Sequence, residues 1–332
     1  MPRQTPNFNI FKRAFLLACL SARGLSSAHA NLLFKRPIKI IVPLPPGGQA
    51  DLQARFLAPF LAQALDQEVI VENKPGASSS IGLKEVIRAL PDGKTLLYTI
   101  ASPIVVSPHV LADQNFDPLH DLMPLAPTVF TAQVLVAHSS VQAAGVNELM
   151  NLARSSRHIL RYGSYGLGSS SHLYGELLAN SAGVDLQHVP YKGASDAVRD
   201  LVSGQIELCF VSLAVAWPFV QNGKIKILGV VGSQRNHRIP HVPTFNEQGF
   251  KNLNAVGWLG FFAPAKVPRE FALKFNEDIR KILKIKAVTL FMEQNGADVM
   301  QLSPVEFSAY VKNDSGKWNE SIKKLNLKFD FD

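Results

Sequence analysis

The chain has 332 residues, 47% hydrophobic and 18% charged, which excludes a disordered or fibrous protein and leaves room for two well-packed domains. Its formal charge of +8 is partly local: Arg3, Lys12, Arg13 and Arg23 lie in the first thirty residues, which carry no acid, so the rest is only +4. With no basic stripe interleaved with aromatics, that mild bias argues against nucleic acid and suits an anionic solute.

The first thirty residues read as a signal peptide. Arg3, Lys12 and Arg13 form a basic start, Ala14 to Leu20 a short apolar run, and Ala28-His29-Ala30 offers small residues for cleavage before Asn31. The run is far shorter than the ~20 apolar residues that span a bilayer, and no later segment reaches that length without charges or turns. Leu16 to Cys19 loosely resembles a lipoprotein box, although Leu17 fits it poorly. With Cys19 removed, Cys209 has no disulfide partner, and in the strand-like "IELCFVS" it reads as a small buried apolar side chain. A periplasmic location is expected.

From residue 38 onward strands alternate with helices. "IKIIVPL" (38–44) is a buried strand, and residues 50–66 place Leu52, Phe56, Phe60, Leu61 and Leu65 at helical spacing, with Pro59 expected to kink the helix. A strand at 68–73, a helix at 81–90, a Pro-Asp-Gly turn and a strand at 94–100 follow. The alternation then repeats: strand 131–138, helix 145–156, strand 160–166, helix 170–183 closed by Gly183, strand 186–193, helix 195–204 closed by Gly204, and strands 205–212 and 224–232. The apolar segment 254–264 leads into a helix-rich tail. Strands separated by helices of this size imply parallel βαβ units. The fold class is α/β, in two domains. The tail helices need a sheet to cover, so domain 1 is expected to be discontinuous, residues 31–129 with 256–332. Domain 2 would be 130–255, with crossings near 130 and 255 forming a hinge beside a cleft.

Ligands of open α/β sheets bind beyond the carboxyl ends of the strands. Residues 43–51, 164–172 and 189–195 each join a strand end to a helix start, where unpaired N–H groups suit an anion. The first loop lacks G-x-G-x-x-G and Walker spacing, and Pro45 and Pro46 remove two donors, so no nucleotide or other cofactor is expected. Gly47 and Gly48 still allow close backbone approach, although a tight turn without ligand explains them equally well. Asp51 reads as a first-turn acid that complements the helix dipole. Gly168 is followed by three serines and no closing glycine, so a nucleophile elbow fails; Ser169 and Ser170 read as helix caps with spare hydroxyls. His172 either contacts ligand or packs with its ring hydrogen-bonded. His237 and His241 are separated by Pro240 in a loop, which rules out a helical metal pair. Lys192 is either a counter-charge for an anion or a solvated lysine.

Eight segments in order, "RPIKIIVPLPPGGQADLQAR", "VIVENKPGASSSIG", "PDGKTLLY", "FDPLHDLMPLA", "YGSYGLGSSSHLYGELL", "VDLQHVPYKGASDAVRDLVSGQIEL", "IPHVPTFNEQGF" and "GWLGFFAP", resemble the Bug-type periplasmic solute-binding proteins of tripartite tricarboxylate transporters. The resemblance covers nearly all of the chain after the signal. It implies a two-domain, flytrap-type binding protein, a non-catalytic receptor that closes on a small di- or tricarboxylate, acidic amino acid or aromatic acid. It also implies a monomer that serves a two-component membrane permease or a sensor. Carried onto this chain, it assigns a carboxylate pincer to Leu44, Pro46, Gly47 and Gly48 on one side, and to Ser164, Gly168, Ser169, Ser170, Ser171 and His172 on the other. Ala101, Ser102, Tyr191, Lys192, Gly193 and Ser212 complete the wall. Val211 stands where the family often has an acid, which disfavours an amino-acid ligand, and "PGASSSIG" replaces a more glycine-rich loop. A secreted small-ester hydrolase is the weaker alternative, because it would need Ser170 or Ser171 paired with His172, and adjacent residues at a helix start point in different directions.

Overall fold

Among the described residues the strands are β1 (Ile38–Val42), β2 (Val69–Asn73), β3 (Thr95–Ile100), β4 (Leu122–Thr131), β5 (Gln133–His138), β6 (Leu160–Ser164), β7 (Leu186–Pro190), β8 (Leu208–Ser212), β9 (Ile225–Val231), β10 (Gly257–Pro264) and β11 (Ala297–Val299). They are taken from a computed structural model that describes residues 36–325 and 327, except 112–114, 157, 252 and 254. The signal peptide, its cleavage before Asn31 and Cys19 lie outside these described residues. No helix among the described residues is long and apolar enough to cross a membrane.

The strands form two sheets, one ordered β11-β4-β10-β3-β1-β2 and the other β7-β6-β8-β5-β9. Parallel βαβ pairing holds for β1 with β2 and β3, and for β6 with β7 and β8. Both sheets are nevertheless mixed, because β10 runs antiparallel between β3 and β4, and β5 runs antiparallel between β8 and β9. The chain passes from one sheet to the other at Ala132, between β4 and β5, and returns between β9 and β10.

β4 was not foreseen, since Pro124 and Pro127 break its pattern. A proline donates nothing to a ladder, and the strand accommodates each one with a slip. Gly260 pairs with Pro127 and Phe262 with Pro124, with register shifts beside both. The residues passed over, Thr128 and Leu125, find partners elsewhere: Met300 N donates to Thr128 O (2.9 Å) and Asn276 Nδ2 to Leu125 O (2.9 Å).

On the first sheet, helices Gln49–Leu65 and Arg269–Ile282 bury Ala54, Leu57, Leu61, Phe275 and Ile279 against β1, β3 and β10. On the second, helices Ala194–Val202 and Leu213–Gln221 bury Val198, Leu201 and Ala216 with Val134, Val136 and Cys209. Helix Leu213–Gln221 was also missed; it is apolar nearly all round and carries Pro218. Cys209 is fully buried, and burial pushes its thiol pKa up, so it is the inert packing residue its setting suggested. A third core runs between the sheets, where the C-terminal helix Pro304–Leu325 brings Trp318 to 5.5 Å from Tyr174 of helix Ser170–Ala182.

Candidate functional site

The first loop folds as its residues dictate. Gly47 takes φ +78°, a left-handed conformation natural to glycine, and its N–H donates to Asp51 Oδ2 (2.9 Å). Asp51 also holds Arg55 at 2.8 Å, so the first-turn acid fixes the turn and uses one of the donors a ligand would want. Gly48 then occupies the N-cap of helix Gln49–Leu65 without a side chain to cap it. In the second loop Ser169 caps helix Ser170–Ala182, accepting from His172 N and donating to Gly166 O (2.6 Å). Ser171 Oγ accepts from Tyr165 N (3.0 Å), and Ser170 Oγ meets the Tyr165 hydroxyl at 2.5 Å.

These loops surround a cavity of about 50 Å³ between the sheets, room for roughly four waters. Leu44, Pro45, Ile100, Val215 and Trp258 form its apolar wall, and Gln49, Ser102, Thr131, Gln133, Tyr165, Ser170, Ser195 and Ser212 supply its polar groups. Among the described residues, no charged side chain lines it. Burial pushes the Tyr165 hydroxyl up to about 12, so that group stays neutral as well.

The field in the cavity comes from the backbone. Helices Gln49–Leu65, Ser170–Ala182, Ala194–Val202 and Leu213–Gln221 all begin at its wall, which makes four convergent N-termini. The N-cap residues Gly48, Gly193 and Ser212 make no side-chain capping bond. Helix starts of this kind concentrate N–H donors and positive dipole ends in a space with no competing cation.

The two walls touch. Ser170 N donates to Ser102 Oγ (3.0 Å), Ser78 Oγ to Leu167 O (2.9 Å) and Ser107 Oγ to Gly168 O (3.2 Å). A Cβ built on Gly193 would lie 2.7 Å from Pro45 Cδ on the facing loop. Gln49 Nε2 donates to Thr131 Oγ1 (2.9 Å), which ties the first loop to the strand end where the chain leaves the first sheet.

A family model described as "Tripartite tricarboxylate transporter family receptor" matches residues 53–327. The chain belongs to this family. A UPF0065 protein of Bordetella pertussis is 31% identical over 96% of this chain and 98% of its own length. Two solved structures from Rhodopseudomonas palustris superpose well. Rpa4515 with adipate has a TM-score of 0.85 at 26% identity, covering 90% of this chain and 99% of that one; MatC with bound malate has 0.82 at 27%, covering 86% and 99%. The two α/β sheets are those of the periplasmic binding-protein fold that the sequence motifs implied.

Of the residues the resemblance assigned, Leu44, Gly48, Ala101, Ser102, Ser170, Gly193 and Ser212 line the cavity. The other nominated residues stand back from it. Pro46, Gly47 and Lys192 are exposed. The Tyr191 hydroxyl donates to Asp200 Oδ2 (2.9 Å). Gly168, with φ +66°, packs on Val110 and Leu111, so an added Cβ would clash there. Ser169 and Ser171 spend their hydroxyls on the loop itself.

His172 is a packing residue. Its Nδ1 accepts from Gly168 N (3.2 Å), and its ring stacks on His188 at 3.6 Å. Burial and then the neighbouring His188 hold its pKa down to about 3, and burial alone holds His188 at about 4. Ser164 is fully buried and shares a 2.7 Å hydrogen bond with His188 Nε2. The serine–histidine pairs Ser164–His188, Ser315–His109 and Ser140–His138 all lie away from the cavity lining. Nor do the described residues hold a cluster of metal-ligating side chains.

Gln49, Thr131, Gln133, Tyr165, Ser195 and Trp258 line the cavity without having been anticipated. Gln49, Tyr165 and Ser195 lie inside the strand-to-helix segments 43–51, 164–172 and 189–195 and were within reach. Thr131, Gln133 and Trp258 sit where strands of the two sheets end, and only the tertiary fold brings those ends together.

Proposed function

We propose that this chain is an extracytoplasmic receptor that captures a small carboxylate between its two sheets and delivers it to a two-component membrane permease. The observation that carries this reading is the convergence of four helix N-termini on a cavity with no charged side chain. Adipate and malate in the related receptors support the same ligand class. A binder needs donors in a closable cleft and no nucleophile–base pair. We further propose the division into domain 1 (31–129 and 256–332) and domain 2 (130–255), hinged near 130 and 255. Ligand would then shift the protein toward the closed arrangement, in which Gly193 meets Pro45. The chain acts in the periplasm after cleavage before Asn31.

The test is a thermal-shift screen of residues 31–332, refolded to remove copurified ligand, against mono-, di- and tricarboxylates, acidic amino acids and aromatic acids. A ligand that binds only the folded state raises the melting temperature by mass action. A rise with one class of acid is expected. Silence across all of them would overturn the reading.

A further inference from the structure

Two buried polar atoms in the cavity wall have no hydrogen-bond partner, Gln133 Oε1 and Ser195 Oγ. Buried polar groups are normally paired, and a partnerless one on a residue that lines a binding cavity is a place where a ligand can complete the network. The two atoms ask for different partners. A serine hydroxyl donates readily to a carboxylate, whereas an amide oxygen only accepts and would repel one.

Gln133 is held firmly. It begins β5, its backbone is in register with Ser212 of β8 and Val231 of β9, and it is 7% exposed. Its amide nitrogen lies toward Gly257, where an added Cβ would come within 3.2 Å of it. Its neighbours Gln49 and Thr131 are bonded to one another and leave Oε1 unserved. An ammonium group would be buried here without a counter-charge, since no acid lines the cavity. A hydroxyl brings the required proton with no net charge.

We infer that Gln133 reads a hydroxyl on the ligand, so that hydroxy-substituted carboxylates are selected over their unsubstituted analogues. The carboxylate lies toward the helix starts and Ser195, and the hydroxyl donates to Gln133 Oε1. This inference rests on the carboxylate reading. A site built to bond a hydroxyl discriminates strongly against an analogue that leaves its acceptor buried and unpaired.

The experiment is titration calorimetry of residues 31–332 with matched acids: lactate and propionate, malate and succinate, 2-hydroxyglutarate and glutarate. In at least one pair the hydroxy acid is expected to bind about tenfold or more tighter. In Gln133→Leu its affinity should fall to that of its partner, with the unsubstituted acid unchanged. Equal binding within every pair by the wild-type protein would overturn the inference and leave the carboxylate reading intact. Equal weakening of both members in Gln133→Leu would overturn it too, because the side chain would then be serving the carboxylate or the fold. Failure of every acid to bind would remove both readings together.

Discussion

The stacked imidazoles of His172 and His188 make acid stability a quantitative test of the packing behind the binding loop. Both are neutral in the folded protein, with pKa values held at about 3 and about 4 against an ordinary 6.5. The unfolded chain therefore binds protons that the native state refuses, and stability is lost as pH falls through 6.5 toward 4. At pH 5 each ring sits 1.5 units below the ordinary value, which costs about 2 kcal/mol per histidine at 1.36 kcal/mol per unit, or about 4 kcal/mol together. Urea unfolding followed by circular dichroism at half-unit steps from pH 7.5 to 4.5 reads this directly. The slope in that window should be about one proton smaller in His188→Gln than in the wild type, whatever the variant's stability at pH 7. Glu176, with Oε1 3.7 Å from His172 Nε2, and the Tyr162 hydroxyl beside it are the neighbouring titratable groups. A wild-type stability that is flat between pH 7 and 5, or a slope unchanged in the variant, would refute the claim that these rings are buried neutral.

Gly193→Ala should leave the apo melting temperature within a degree or two, since its φ of −174° suits any residue, while the new methyl meets the rigid Pro45 ring across the cleft. Overpacking of that kind costs about 1–3 kcal/mol, so the affinity for the best acid should fall about 10- to 100-fold by calorimetry. Ser102→Ala removes the acceptor for Ser170 N–H and should weaken ligand binding several-fold, about 1 kcal/mol, with ligand release accelerated in stopped-flow. Lys192→Ala should change affinity by less than about twofold, because that side chain is exposed and absent from the cavity wall.

The sequence pattern carried the strand–turn–helix units well because they are local: apolar run, Gly/Pro turn and periodic helix all lie within thirty residues. Ser169 at its cap and Gly183 in its left-handed closing position (φ 61°) are where local chemistry put them. β4 was hidden because its two prolines read as breakers, and the slips that absorb them exist only beside β10. The candidate site was half legible for the same reason. Leu44, Gly48 and Ser170 lie in loops whose composition advertises an anion site. Gln133, Thr131 and Trp258 belong to strand ends whose shared cavity depends on how two sheets meet. His172 was open between ligand contact and packing until the resemblance placed it in the pincer, and its side chain turns onto His188.

The most direct test is a crystal structure of residues 31–332 with the acid that gives the largest thermal shift. The account predicts its carboxylate in the cavity between the sheets, within hydrogen-bond distance of backbone N–H groups at the starts of helices Gln49–Leu65 and Ala194–Val202, with no cationic side chain in contact. An acid bound outside that cavity, or held there by a lysine or arginine drawn into it, would contradict the claim that the backbone of the helix starts captures the solute.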